Sequence, residues 1–308
     1  MAAVALRARV LAEIRAFFAE RGVLEVETPL LGAATVTDLH LASLETRVDG
    51  RRRFLQTSPE FAMKRLLAAG SGPIYQICKA FRDGESGRRH NPEFTLLEWY
   101  RPGYDHHRLM SEVGELLSRV LGVPAPETLS YREALERHAG IDPFGADARD
   151  LAGRARELGL AGLPDLGDDR DAWLDLLMSY TVEPRLGRGR PTLIYDYPPT
   201  QAALARLRGT GDEAVAERFE AYVEGVELAN GYHELRDPAE QRRRFAADLA
   251  RRRDRGLPQV PVDERLLAAL AHGLPECAGV ALGVDRLILL AAGASCLDEV
   301  LAFPHQRA

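Results

Sequence analysis

Arginines and glutamates at the ends of regular elements can clamp a metal-bound triphosphate, and this chain carries such residues at three points. The first is Phe81-Arg82, followed by a polar loop and His90-Asn91-Pro92-Glu93-Phe94. An arginine closing an apolar run projects a planar cation that pairs with phosphate oxygens and never loses its charge. The second is the stretch from Arg218 to Leu235, where strict alternation puts Glu227 on one face with Phe219, Ala221 and Val223. A carboxylate on an apolar face needs a partner, and Mg2+ is a natural one. Asn230-Gly231 is a turn signal that would bring Glu234 beside Glu227. The third is Gly279–Arg286, a glycine-bearing strand running into a helix. Asp285 can cap that helix, and Arg286 in its first turn adds a cation to a helix N-terminus, a combination suited to anions. Ser58-Pro59-Glu60 adds a polar helix start able to hold an ammonium group. Alone, each has an ordinary reading: a surface arginine, a bulge at Gly225 that returns Glu227 to solvent, a strand turning into a helix. Together they point to a nucleotide.

Several elements must position these residues. Val10, Ile14 and Phe17, flanked by Leu11 and Phe18, recur at helical spacing, with Gly22 where a C-terminal cap belongs. Val23–Thr28 reads as a short strand stopped by Pro29, and Asp49-Gly50 signals a hairpin between residues 44–48 and 53–56. Ser58 serves as N-cap with Pro59 at the first helical position, and Gly70 ends that helix. Residues 74–81 and 94–100 read as paired strands bracketing the loop 82–93. The stretch from about 123 to 190 reads as a helical insertion without chemistry of its own. Strands at 192–197 and 219–228 follow, then an arginine-rich helix over 238–255 stopped by Gly256, and a strand at 280–284 feeding an apolar helix. Strands in hairpin order, without βαβ alternation, predict an α+β fold: an antiparallel sheet flanked by helices.

Composition narrows the function. At 308 residues with a net charge of −6, the chain does not have the basic balance of a non-specific nucleic-acid binder, and tRNA is disfavoured as a partner. Cys78, Cys277 and Cys296 are odd in number and widely spaced, which suggests neither a disulfide framework nor a structural zinc site. The N-terminus does not read as a leader and no apolar run could span a bilayer, so no membrane role and a cytoplasmic location are expected. Lys64 and Lys79 are the only lysines among many arginines, which reads as genome composition. His106-His107 reads as surface, Trp99 as core, and the runs 242–244 and 251–253 as solvated arginine faces.

In this order the residues resemble the signature motifs of class II aminoacyl-tRNA synthetases. The helix and strand ending at Pro29 resemble the first motif, Phe81-Arg82 with the strand through Tyr100 the second, and Gly279–Arg286 the third. Leu55–Glu60, Arg89–Tyr100 and Gly225–Leu235 are similar to the lysyl branch, including its protein-modifying paralogues, and the likeness covers nearly the whole chain. The resemblance implies a single class II synthetase-type catalytic domain that uses ATP and Mg2+. It implies Arg82 at the α-phosphate and Arg286 at the γ-phosphate. Asp83, Gly84, Glu85, Asn91, Gly283, Glu227 and the Leu228 backbone would line ATP, with Mg2+ on Glu227 and Glu234. Ser58, Pro59, Glu60, Tyr100, Glu234 and Ala281 would surround a lysine-type amino acid. The first motif implies a homodimer.

Three departures shape the expected acceptor. The first motif begins almost at Met1, so an N-terminal anticodon-binding barrel is expected to be absent. The net charge is acidic, and Ala281 stands where tRNA-charging members usually carry glycine. The resemblance to the protein-modifying paralogues, taken with these departures, implies activation of (R)-β-lysine and its transfer to a lysine of elongation factor P. A truncated tRNA-charging enzyme and a non-catalytic regulator are the other readings. Where the family runs Arg-x-Glu, this chain runs Arg82-Asp83-Gly84-Glu85, so either Glu85 serves after a loop shift or that contact is lost.

Overall fold

The first helix forms around an apolar stripe. α1 (Ala2–Ala19) buries Val10, Ile14, Phe17 and Phe18, and Gly22, at φ +63°, lets the chain close behind it. The computed structural model describes residues 1–160 and 166–308, which divide into one unit of residues 1–105 with 234–308 and a second of residues 106–233.

In the first unit, β1 (Leu24–Glu25) is shorter than the expected strand, and β2 (Leu31–Gly32) follows it. β3 (Glu45–Val48) and β4 (Arg51–Leu55) form the expected hairpin, with Asp49 and Gly50 both at positive φ, +50° and +73°. α2 (Glu60–Ala68) leads to β5 (Ile74–Phe81) and β6 (Glu93–Pro102), an antiparallel pair.

In the second unit, α3 (His106–Leu121), β7 (Glu127–Ser130), α4 (Tyr131–Ala139), α5 (Ala148–Glu157) and α6 (Arg170–Leu177) come first. They are followed by β8 (Thr192–Tyr197), β9 (Leu207–Arg208), β10 (Val215–Val223) and β11 (Val226–His233). The expected insertion is largely helical where described, but β7 pairs in parallel with β8; its residues 161–165 lie outside the described residues. Leu135, Leu151, Trp173, Leu177, Ile194 and Tyr222 share this unit's core.

The first unit resumes with α7 (Pro238–Asp254), α8 (Glu264–Gly273), β12 (Cys277–Gly283) and α9 (Val284–Ala291). Its strands run in the order β1, β5, β6, β12; β5, β6 and β12 are antiparallel, and β1 joins β5 in parallel, so the sheet is mixed where an antiparallel one was expected.

Alternation along β6 decides what the sheet presents. Trp99 is fully buried on the α1 side, where Phe18 stacks on Tyr75 at 4.4 Å and meets Trp99 at 5.3 Å. Glu98 and Tyr100 therefore take the other face. No helix among the described residues is long and apolar enough to cross a membrane.

Candidate active site

On the Glu98 face, strand register sets Gln76 and Ala281 beside Glu98, and Ile74 and Gly279 beside Tyr100. Glu98 accepts hydrogen bonds from Ser58 Oγ at 2.5 Å and from the Tyr100 hydroxyl at 2.7 Å. Ser58 Oγ also accepts from the Glu60 N–H at 3.0 Å, so one side chain starts α2 and ties it to β6; Pro59 immediately precedes the helix. One turn later Lys64, only 1% exposed, places its ammonium 2.6 Å from Glu60 and 2.5 Å from Glu234. A Cβ at Gly279 would lie 2.2 Å from Tyr100 Cε1 and 2.5 Å from Glu234 Oε1. Only glycine there lets both side chains enter the site.

Ser58, Glu60, Tyr100 and Glu234 are thus brought together, as expected, and Ala281 lies alongside. The two residues that link them were not. Glu98 could have been found by the same alternation that singled out Glu227, since period two sets it on one face with Leu96 and Tyr100. Lys64 had been assigned to composition; the structure makes it the cation of the pocket.

The pocket's charge is tuned by burial. Burial and the Glu60 carboxylate push Glu98 up to about 8, against its hydrogen bonds from Ser58 and Tyr100. Burial likewise lifts Glu234 to about 7, with Lys64 pulling it down and Glu60 pushing it up. Burial disfavours charged Lys64, but Glu234 and Glu60 outweigh it and raise its pKa. A carboxyl whose folded pKa exceeds its unfolded value carries no penalty at low pH and destabilises the fold as pH rises between the two values. For Glu98 that window runs from 4.5 to about 8. Urea unfolding should therefore show Glu98→Gln with a flatter stability profile than the wild type from about pH 5 to 8. An unchanged slope would refute this assignment.

The loop between β5 and β6 builds a separate, basic region. Arg82 lies over the Phe94 ring with its guanidinium carbon 5.0 Å from the centroid, and it ion-pairs with Glu85 at 3.5 Å. Its Nε is buried and donates no hydrogen bond, which fits an acceptor such as a phosphate oxygen. Arg286, in the first turn of α9, reaches His90 Nε2 at 2.7 Å and donates to the Arg89 carbonyl at 3.2 Å. Burial, followed by Arg286, lowers the pKa of His90; Arg82 and Arg89 push the same way and Glu85 opposes them. Arg286 and Arg82 thus add positive charge around His90 to the effect of its burial.

Other residues expected at ATP behave differently. Asp83 accepts from the Gly84 N–H at 2.9 Å, and Gly84, at φ +77°, turns the chain so that Glu85 folds back onto Arg82. Asn91 donates to the Glu93 carbonyl at 2.5 Å and accepts from the His305 N–H at 2.9 Å, which pins the loop. A Cβ at Gly283 would meet nothing closer than Arg286 Cδ at 3.7 Å, so the space above it is open to a ligand.

The structure corrects several expectations. Asn230 and Gly231 lie inside β11 and make no turn; the turn is at Glu224-Gly225, at φ +51° and +70°. Gly225 is therefore a turn residue and no bulge. The register instead skips Leu228, since Tyr222 pairs with Glu227 and Ala221 with Ala229. Glu227 is half-buried in the second unit. Glu234 is buried and ion-pairs with buried Lys64 at 2.5 Å. Asp285 does not cap α9; it is buried, accepting from the Thr95 N–H at 2.7 Å and pairing with Arg7 of α1. His106 is buried rather than surface-exposed, and so is Arg252, which donates to the Asp38 carbonyl at 2.6 Å. The remaining arginines of α7 pair mostly within the unit, Arg242 with Glu264 and Arg243 and Arg244 with Glu240. Burial pushes the Cys78 and Cys277 thiols up to about 12, as expected of inert structural cysteines.

The carboxylate-lined pocket and the arginine-bearing β5–β6 loop belong to the same unit of the chain. The model of the class II tRNA synthetases (D, K and N) matches residues 1–307, and the chain belongs to this family. Within it, the chain is 55% identical over 308 residues to the elongation factor P–(R)-β-lysine ligase of Salmonella paratyphi B, covering 98% of this chain and 94% of that one. The ligase of the same name from Salmonella typhimurium matches at the same identity and coverage.

Proposed function

We propose that this protein is an ATP-dependent ligase that activates (R)-β-lysine as an aminoacyl-adenylate and transfers it to a lysine side chain of elongation factor P. The observation that carries this reading is the charge of the buried pocket. Glu60 and Glu234 pair with one ammonium, Lys64, and both carboxylates repel Glu98, which leaves two negative charges when all are ionised. A substrate with two ammonium groups neutralises that excess, and its binding favours the ionised form of Glu98.

The substrate carboxylate attacks the α-phosphorus, forming the mixed anhydride and expelling pyrophosphate. The acceptor lysine amine then attacks the activated carbonyl, forming an amide and releasing AMP. Arg82 and Arg286 take up charge on the phosphates, and the protein works by positioning and by charge neutralisation. Glu227, a hard oxygen donor, would hold Mg2+, which when bound supplies further neutralisation of phosphate charge. Glu227 with the Leu228 backbone, together with the loop 82–85, Asn91 and Gly283, remains our assignment for the nucleotide. A cytoplasmic location follows from a partner in translation. A homodimer is supported by the exposed Val4, Leu24, Leu30 and Leu31 along α1 and the strands after it.

Incubation with ATP, (R)-β-lysine and purified elongation factor P should add the mass of one β-lysyl group to the factor. No mass gain would sink the reading, and label transferred from lysine to tRNA would replace it with a charging enzyme. Ala281 lies in register with Glu98, which supports a role for its methyl in narrowing the pocket. A methyl in a packed pocket discriminates by about 1–3 kcal/mol, so Ala281→Gly should raise activation of α-lysine relative to β-lysine about tenfold. An unchanged ratio of kcat/KM values would refute the role given to this methyl.

A further inference from the structure

His106 and His233 are the first and last residues of the second unit, and the fold sets them together. Their ring centroids are 6.3 Å apart. Glu217 of β10 stands with them: one ligand atom from each of the three lies within 4.8 Å of the others, and all three residues are buried. His233 Nδ1 is 3.0 Å from Glu217 Oε2, and His106 Nε2 is 3.5 Å from Asp196 Oδ1, at the end of β8. His106 Nδ1 is buried and meets no hydrogen-bond partner, and buried His106 Nε2 and Asp196 Oδ1 have only their long contact with each other. Buried polar atoms without partners are rare because they lose water and gain nothing in return.

We propose that His106, His233, Glu217 and Asp196 bind a divalent transition-metal ion of the zinc class. Ligand atoms about 2 Å from a tetrahedral ion stand about 3.3 Å from one another, and the two separations above lie on either side of that value. Two imidazoles with two carboxylates suit Zn2+, Co2+ or Ni2+; Mg2+ prefers an all-oxygen set. Arg208 holds the other oxygens, at 2.5 Å from Asp196 Oδ2 and 3.3 Å from Glu217 Oε1. Arg206 pairs with Glu217 Oε2, the oxygen nearest His233. An ion would compete with Arg206 for that oxygen. The Arg206 side chain is 38% exposed and can turn toward solvent, while Arg208 continues to orient both carboxylates. His107, whose ring lies 4.1 Å from that of His106 and packs against Tyr195, is not one of the ligands.

The test is metal binding by the full-length protein after chelator treatment. Titration with Zn2+ should give one tightly bound equivalent by elemental analysis, and Co2+ should give the visible absorption of a tetrahedral site. His106→Gln and Glu217→Gln should weaken binding by more than the roughly 10–100-fold that loss of an outer hydrogen-bond partner costs. His107→Ala should bind as the wild type does. Thermal unfolding checks that each variant is folded, and Zn2+ should raise the Tm of the wild type but not that of His106→Gln. Absence of stoichiometric binding by the wild type would overturn the proposal, as would His106→Gln binding with wild-type affinity.

Discussion

Lys64→Met should destabilise the protein by about 3–5 kcal/mol and abolish amino-acid-dependent pyrophosphate exchange. The ammonium is almost fully buried and bridges Glu60 and Glu234, and the Glu234 side chain is only 1% exposed. Removing the cation leaves that carboxylate in a low-dielectric site, where it either stays charged at high cost or takes up a proton. Protonation would soften the stability loss but also remove a charge needed for a substrate ammonium. The double variant Lys64→Met/Glu234→Gln separates the two effects. With both charges gone, much of the stability should return while activity stays lost. Equilibrium unfolding and pyrophosphate exchange on the same samples make the comparison. A single variant as stable as the wild type would show that the pair is not what holds the pocket.

Arg82→Ala should lower pyrophosphate exchange about 100–1,000-fold with little change in Tm. The guanidinium caps no element; its contacts are a stack on Phe94 and an ion pair with half-exposed Glu85, the latter worth at most about 1 kcal/mol. Its buried Nε carries no internal partner, so its value lies in what it binds. Arg82→Lys should recover little, because a point charge cannot reproduce paired guanidinium hydrogen bonds. Exchange within a few-fold of wild type for Arg82→Ala would remove this residue from the phosphate site. A matching fall for Glu85→Gln would show that Glu85, folded back by Gly84, steers the guanidinium.

Local signals were legible wherever the backbone itself enforces them. Asp49-Gly50 makes its hairpin because both residues tolerate positive φ, and Ser58 starts α2 because its hydroxyl reaches the Glu60 N–H. Trp99 was placed in the core correctly because period two sets it on one face with Leu97. The same period could have drawn Glu98 into the site. Asn230-Gly231 misled because the same dipeptide is compatible with a turn and with a strand, and only pairing with β10 decides between them.

Residue types and their order carried the family resemblance and the two strands, one holding Tyr100 and the other ending just before Arg82. Those features are encoded by side-chain type and by periodicities that survive without knowledge of the fold. Which charges meet was decided by the tertiary structure alone. Glu234 could have faced solvent, and the fold buries it against Lys64. Asp285 could have capped a helix, and the approach of Thr95 and Arg7 gave it another partner. His106 looked like solvent-facing polarity until the fold buried it with Glu217 and His233. Electrostatic partnership depends on distance and desolvation together, and neither can be read from positions along a chain.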